Sequence, residues 1–164
     1  MPKTGKALTA KAGYDAWSGA NPGCTPGMGK LFHFDSPREV YRADACVITC
    51  FDARFDRALQ KFLKRQAIAT YDQIKIPGSA KALGAPDAES DRDFVLRMIE
   101  TSLRLHRPAK VWMFAHSDCG AYPGNPVAAQ TADLRAAADV LRMKQPSLAV
   151  ECFFADFDGI YSVD

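Results

Sequence analysis

Short apolar runs alternate with longer stretches of helical periodicity from residue 45 onwards. The runs have the length and the β-branched or aromatic content of strands. They are ACVIT (45–49), DQIKIPG (72–78), KVWMFA (110–115), LAVECFFADFDG (148–159) and the edge candidate IYSV (160–163). Strands that alternate with helices form a parallel sheet with helices on both faces. We therefore predict an α/β fold with a central, mostly parallel sheet of about four strands plus an edge strand.

Apolar residues three and four positions apart predict the helices between these strands. The predicted helices are FDRALQKFLKRQAIA (55–69), DRDFVLRMIETSLRLHRP (91–108) and TADLRAAADVLRM (131–143). A short helix is also expected in DSPREVYRAD (35–44), where Ser36 is a candidate cap and Pro37 suits the first helical position. The stretch KALGAPDAES (81–90) is predicted to be a polar loop. With a strand order of 2-1-3-4, the first and third strands are neighbours and the helices after them lie on opposite faces.

The bulk composition limits the classes of protein to which the chain can belong. It has 164 residues and a formal net charge of +2, from 21 basic and 19 acidic residues. Nucleic acid is not an expected partner, because no basic stripe is interleaved with aromatic residues. A membrane is not expected either, because no apolar run could span a bilayer and the N-terminus lacks the apolar block of a secretory signal. We expect a cytoplasmic protein with an irregular N-terminal arm (1–35) and one α/β domain (36–164).

Cysteine and histidine residues follow two strands that are predicted to be neighbours. The five cysteines form an odd set without the dense spacing of a secreted disulfide scaffold, so clustered Cys and His indicate a metal or catalysis. HSDC (116–119) places His116 and Cys119 three residues apart after the third strand, and Cys50 directly follows the first. Ligands of such sheets bind beyond the carboxyl ends of the strands. One imidazole and two thiolates suit tetrahedral zinc, and a fourth, open position is typical of a catalytic site.

An acid and a base follow Cys50 at alternate positions. Along an extended segment, Asp52 and Arg54 would lie on the same side as Cys50. A guanidinium can hold a carboxylate in a fixed fork, and Asp52 held in this way could orient a water molecule on the zinc. Asp52 and Arg54 are therefore our candidate catalytic pair. Two alternatives stay open: Asp52 as a permanent fourth zinc ligand, or an ion pair of only local effect.

Three further residues lie beside these motifs. Asp118 follows His116 closely and is predicted to be a solvated loop residue rather than a base. Phe51 and Tyr122 flank the motifs and could wall an apolar pocket for a small neutral substrate. Packing without a function is an equally good interpretation of these two aromatic rings.

The two motifs, in this order, resemble those of the β-class carbonic anhydrase family. C-x-D-x-R (50–54) is followed by H-x-x-C-G (116–120), each at the end of a predicted strand. The similarity spans roughly residues 40 to 164 and includes the closing VECFFADFDGIYSV (150–163). The chain differs from the family at Ala53, where Ser is common, and in PGSAKAL (77–83), where an Arg-Asn-Ala-Gly stretch is usual.

This resemblance implies a zinc lyase, a carbonate dehydratase that interconverts carbon dioxide and bicarbonate by attack of zinc-bound hydroxide. It implies Cys50, His116 and Cys119 as zinc ligands, and Asp52 with Arg54 as the supporting pair. In some members the aspartate moves onto the zinc when the arginine releases it. A homodimer or higher homo-oligomer is also implied. The alternatives on the same zinc site are a hydrolase of carbonyl sulfide or carbon disulfide and a non-catalytic zinc-binding homologue.

Overall fold

The computed structural model describes Phe32, Pro37, residues 39–124 and residues 126–164. Within this part, Arg42–Asp164 form one compact unit. Apart from Phe32, the predicted N-terminal arm (1–35) lies outside the described residues, as does Ser36.

Strands and helices alternate through the compact unit, as the apolar periodicity predicts. The strands are β1 (Ala45–Thr49), β2 (Tyr71–Lys75), β3 (Lys110–His116), β4 (Ala149–Ala155) and β5 (Ile160–Val163). The helices are α1 (Asp56–Arg65), α2 (Lys81–Gly84), α3 (Glu89–Leu105) and α4 (Val127–Lys144). A single 3-10 turn (Ala53–Phe55) precedes α1. None of the described helices is long and apolar enough to cross a membrane.

The strands form one sheet in the order β2-β1-β3-β4-β5. The first four run parallel, and β5 pairs antiparallel with β4 as an edge strand. This arrangement confirms the predicted α/β fold and the order 2-1-3-4. Because β1 and β3 are direct neighbours, the residues that follow Thr49 and those at His116 lie side by side at one edge of the sheet.

Two hydrophobic clusters cover the two faces of the sheet. On one face, strand residues pack against α2, α3 and α4; the fully buried members include Ile48, Met113, Leu83, Ile99, Leu134 and Leu141. On the other face, strand residues pack against α1; this cluster includes Val47, Trp112, Phe114, Phe153, Leu59 and Leu63. The helix after β1 and the helix after β3 therefore lie on opposite faces, as predicted. Alternation along β1 produces this division, because successive side chains point to opposite faces.

Two local predictions are wrong. The helix expected over residues 35–44 is not present among Pro37 and Glu39–Asp44. The backbone there is held by other segments instead: Ala43 N–H donates to the His106 carbonyl (3.0 Å), and Asp44 N–H donates to the Thr70 carbonyl (2.7 Å). The stretch predicted as a polar loop contains the short helix α2, closed by a bond from Gly84 N–H to the Ala80 carbonyl (2.9 Å).

Candidate metal centre

Two thiols and an imidazole converge at the carboxyl ends of β1 and β3. Cys50 directly follows β1, His116 ends β3, and Cys119 lies in the loop after it. One ligand atom from each residue lies within 4.8 Å of the other two, and the two sulfur atoms are 4.0 Å apart. All three residues are buried. The structure thus brings together the three side chains that sequence spacing singles out, in a cluster that could hold one metal ion.

One ring nitrogen of His116 is left without a hydrogen bond. Nδ1 lies 2.8 Å from the carbonyl oxygen of Ser117, which can only accept, so Nδ1 donates and Nε2 keeps its lone pair. Nε2 is buried and has no hydrogen-bond partner among the described residues. A buried acceptor without a partner is costly, and a metal ion is a natural partner for it. This tautomer and the two neighbouring thiols fit zinc.

The two sulfur atoms lie in different electrostatic surroundings. Burial raises the pKa of the Cys50 thiol, but the adjacent His116 and the backbone N–H groups of Asp52 and Gly78 outweigh it and lower this pKa to about 7. Burial raises the pKa of Cys119, and the neighbouring Cys50 raises it further. The thiolate is the form that binds a metal, so the groups around Cys50 favour its metal-binding form.

Gly78 is a contributor to this centre that sequence reasoning missed. Hydrogen bonding by its backbone N–H lowers the pKa of both thiols. Its φ is +67°, and a Cβ atom there would approach the Cβ of Ala121 to 2.9 Å, so a side chain would not fit without a shift. The Pro-Gly pair at 77–78 is the sequence feature that could have indicated this contribution, since it marks a tight turn directly after a strand.

Asp52 and Arg54 contact each other, but not through the extended segment that alternation suggests. The chain turns into a 3-10 helix after Asp52, whose carboxylate caps it by accepting the Arg54 backbone N–H at 3.0 Å. An aspartate commonly accepts from the N–H two residues ahead, which explains the turn. The guanidinium of Arg54 adds bonds from Nε to both carboxylate oxygens (3.0 Å each) and from Nη2 to Oδ2 (2.6 Å). This pairing is the main cause that lowers the pKa of Asp52 to about 2.

Asp118 is a second partner of Arg54 that the sequence did not reveal. Arg54 Nη1 donates to Asp118 Oδ2 at 2.9 Å, and Nη2 donates to the Asp118 carbonyl at 3.2 Å. The side chain of Asp118 is 67% exposed, so the expected solvent contact is present together with this ion pair. Rings of Phe55 and Phe157 also lie 5.9 and 5.7 Å from the guanidinium carbon. Two acids and two rings therefore fix the position of Arg54.

A small cavity opens beside the cluster. Its volume of about 20 Å³ is enough for roughly one water molecule. Apolar side chains form most of its wall, together with Thr49, Cys50, Asp52, Asp56 and His116; the apolar residues are Phe55, Leu59, Phe114, Ala115, Ala155 and Ile160. The Phe55 ring also packs on the His116 ring, with centroids 4.7 Å apart.

The two aromatic residues that were candidates for such a wall lie elsewhere. Phe51 is 62% exposed. Tyr122 is buried and packs with Cys50 and Cys119, and its hydroxyl donates to Asp133 of α4 at 2.8 Å. Tyr122 therefore supports the loop that carries Cys119, whereas Phe55 and Phe114 line the cavity.

Comparison with known proteins identifies the family. A family model described as "Putative carbonic anhydrase" matches residues 41–163. The chain belongs to this carbonic anhydrase family. An uncharacterized protein of Rickettsia conorii is 26% identical over 135 residues, which cover 75% of this chain and 73% of that relative.

Solved carbonic anhydrases share the fold. The enzyme of Streptococcus mutans aligns with a TM-score of 0.56 at 14% identity, over 94% of this chain and 95% of that one. A carbonic anhydrase of Glaciozyma antarctica aligns with 0.51 at 14% identity over all of both chains. A tetrameric β-carbonic anhydrase of Sordaria macrospora aligns with 0.54 at 12% identity over 94% of each chain. The resemblance to the β-class family that the two motifs suggested is confirmed at the level of family and fold.

Proposed function

We propose that this protein is a zinc-dependent carbonate dehydratase that interconverts carbon dioxide and bicarbonate. In this proposal Cys50, His116 and Cys119 bind the zinc ion, and Asp52 and Arg54 act with it. The observation that carries the proposal is the buried convergence of two thiols on an imidazole whose Nε2 has no other partner among the described residues. Membership of the carbonic anhydrase family supports the same reaction.

The surroundings of the cluster suit a small electrophilic substrate. A zinc ion lowers the pKa of a coordinated water molecule and so supplies a nucleophile near neutral pH. Asp52 can accept a hydrogen bond from the attacking water and thereby direct its lone pair towards the substrate carbon. Phe55 and Phe114 exclude bulk water from the neighbouring cavity, which is too small for any but the smallest molecules.

Arg54 has a positioning role in this proposal. Three side-chain hydrogen bonds hold the Asp52 carboxylate away from the thiol and imidazole cluster. As long as they are intact, Asp52 is not available as a fourth ligand, and the fourth position stays open for water. A closed, non-catalytic site would require Arg54 to release Asp52, and the second salt bridge with Asp118 restrains Arg54 from moving.

We also propose that the protein works as a homo-oligomer in the cytoplasm. The Sordaria macrospora relatives are tetrameric, and β2 lies at one edge of the sheet that the described residues form, where it could pair with another chain. The large apolar side chains of Phe94 and Leu105 are about half exposed on the neighbouring helix α3. A reducing compartment would keep the closely spaced Cys50 and Cys119 as thiols. Light scattering coupled to size exclusion tests the assembly, and a monomer at all concentrations would reject it.

Metal analysis combined with a hydration assay tests the proposed reaction. Purified protein should hold one zinc ion per chain and hydrate carbon dioxide, with a rate that rises towards alkaline pH. The same sample should be tested with carbonyl sulfide and carbon disulfide, because sulfide release would identify the alternative hydrolase. Protein that binds zinc but turns over none of the three gases would instead be the non-catalytic homologue.

Two substitutions separate the roles of the residues. Cys119→Ser should lose zinc, since it removes one of the three ligands. Arg54→Ala should keep zinc but lose roughly 10- to 100-fold in turnover, because Asp52 is no longer held. Arg97→Ala on α3 is the matched control, since it removes an arginine that lies over the Phe94 ring instead. Wild-type activity in Arg54→Ala would reject the proposed role of the pair.

A further inference from the structure

Arg54 joins the two segments that carry the thiols and the imidazole. Asp52, at the turn after β1, accepts from Nε and Nη2 of its guanidinium. Asp118, in the loop after β3, accepts from Nη1 through its carboxylate (2.9 Å) and from Nη2 through its carbonyl oxygen (3.2 Å). All nitrogen atoms of the guanidinium donate in these bonds. The orientation of Arg54 is therefore defined from both sides of the metal cluster and not by Asp52 alone.

The backbone of Asp118 has a conformation that is uncommon for a residue with a side chain. Its φ is +57°, in the left-handed region, which glycine adopts freely and aspartate tolerates better than most residues. In this conformation the carboxylate and the carbonyl oxygen of one residue both contact the same guanidinium. The contact with Arg54 therefore depends on a defined local geometry, unlike an ordinary ion pair between two long surface side chains.

The loop that carries Asp118 is itself held in place on its N-terminal side. The Ser117 N–H donates to the Ala155 carbonyl of β4 at 2.9 Å, and the Ser117 carbonyl accepts from His116 Nδ1 at 2.8 Å. Ser117 is buried. Asp118 thus offers Arg54 an anchor that is fixed to the sheet and to the imidazole of the cluster.

We propose that Asp118 is a positioning residue that holds Arg54 in the orientation in which it keeps the Asp52 carboxylate away from the metal cluster. This inference rests on the zinc site of the proposed function and adds a control on its fourth position. Without the Asp118 carboxylate, Arg54 keeps Asp52 itself and the rings of Phe55 and Phe157, which do not direct its N–H groups. Asp52 then occupies the fourth position in a larger fraction of the molecules.

Two substitutions of Asp118 weaken the anchor without adding backbone strain. Asp118→Asn removes the charge but keeps an acceptor oxygen and tolerates the left-handed region, whereas Asp118→Gly removes the whole side chain and adopts that region freely. Asp139→Asn on α4 is the matched control for the loss of charge. Asp139 is an aspartate of similar exposure (70% against 67%) that pairs with a different arginine, Arg142, at 3.5 Å.

Thiocyanate binding to the cobalt-substituted protein measures access to the fourth position without any turnover. The visible spectrum of the cobalt ion changes when thiocyanate binds to it. Because only molecules with an open fourth position bind the anion, its apparent Kd rises as Asp52 occupies that position. We expect a rise of about 2- to 5-fold in Asp118→Gly, a smaller rise in Asp118→Asn and no change in Asp139→Asn.

The same titration in an Asp52→Asn background separates positioning from a general disturbance of the loop. An amide is not a usual ligand of such a site, so the fourth position stays open and Asp118→Gly should no longer weaken thiocyanate binding. Loss of a negative charge alone would tighten anion binding, which is the opposite of the expected result. Unchanged or tighter binding in Asp118→Gly would overturn the proposal. A loss of affinity that is equally large in the Asp52→Asn background would also overturn it.

Failure of this inference can be told apart from failure of the proposed function. A protein that responds to the Asp118 substitutions as expected but does not hydrate carbon dioxide would keep the positioning role and reject only the reaction. Rapid hydration together with a thiocyanate affinity that is insensitive to Asp118 would reject only the positioning role. A protein that takes up neither zinc nor cobalt would reject both.

Discussion

Gly84 is the described glycine at which an added Cβ atom would collide most closely with its surroundings. It ends α2 and lies against the backbone of α4. A Cβ atom added there would lie 2.2 Å from the Asp133 carbonyl oxygen and 2.9 Å from its carbonyl carbon. Real Cβ atoms essentially never approach another heavy atom closer than 3.0 Å, so Gly84→Ala requires the two helices to separate by about 0.8 Å.

The expected change in the free energy of unfolding of Gly84→Ala follows from two opposing effects. Alanine favours a helix over glycine by about 1 kcal/mol. Overpacking costs about 1–3 kcal/mol, and here the upper part of that range applies because the atoms that collide belong to the backbone and cannot rotate away. We expect Gly84→Ala to lower the free energy of unfolding by about 2 kcal/mol and Tm by roughly 4–8 °C.

The substitution should also weaken zinc binding. The Asp133 carboxylate accepts a hydrogen bond from the Tyr122 hydroxyl, and the Tyr122 ring packs with Cys50 and Cys119. A displaced α4 would therefore loosen the loop that carries one of the thiols.

Thermal melts and urea titrations on zinc-loaded and on zinc-free protein provide the assay. The matched control is Gly159→Ala, where the new Cβ would meet the Tyr161 ring at an ordinary 3.6 Å. Neither glycine has a positive φ, so the two variants differ mainly in steric contact. If Gly84→Ala melts at or above the wild-type temperature while Gly159→Ala is unchanged, the reasoning from the close contact is wrong.

Three further predictions concern other parts of the compact unit. Hydrogen bonds from two backbone N–H groups lower the pKa of Asp44, so its stabilising effect is complete above about pH 4 and is lost as the pH falls through the lower folded pKa. The stability deficit of Asp44→Asn in urea unfolding should therefore shrink on acidification, and a constant deficit would contradict this. Tyr122→Phe leaves Asp133 without its buried donor and should cost about 1–2 kcal/mol in unfolding free energy, with zinc content reduced rather than abolished. In a thiol-reactivity titration, zinc should protect Cys50 and Cys119 from the reagent. Removal of the metal with a chelator should expose two more reactive thiols per chain. Equal reactivity with and without zinc would show that these two cysteines are not zinc ligands.

The features predicted correctly from the sequence depend on periodicity and on the ends of strands. ACVIT and KVWMFA are short apolar runs, and the observed strands β1 and β3 coincide with them to within one residue. Once these two strands are neighbours, the positions of Cys50 and His116 follow from where each run ends. The parallel register leaves little freedom for the positions of Cys50 and His116, because it aligns the carboxyl ends of both strands at the same edge of the sheet. The approach of Cys50 and His116, which are far apart in the sequence, was therefore predictable from local apolar runs.

The contacts that sequence reasoning missed have no periodic signature. Arg54 and Asp118 are 64 positions apart, and both are substantially exposed, so no apolar pattern links them. Alternation suggested an extended segment after Cys50, but an aspartate after a strand can cap a turn equally well, and the local hydrogen bond determined the outcome. The sequence suggested Phe51 as a wall residue, but the turn leaves Phe51 exposed and places Phe55 on the cavity wall instead.

The loop after β2 shows why a changed sequence can still serve the same centre. Its contribution to the sulfur atoms comes from the backbone N–H of Gly78, not from a side chain. What the site requires there is a conformation: Gly78 and Ser79 both have positive φ, at 67° and 52°. Glycine adopts this region freely, and the strain at Ser79 is offset by its buried hydroxyl, which donates to the Ile48 carbonyl at 3.2 Å. Any stretch that can adopt this turn would present the same N–H group, so a loop sequence unlike the usual one is compatible with an intact thiol and imidazole cluster.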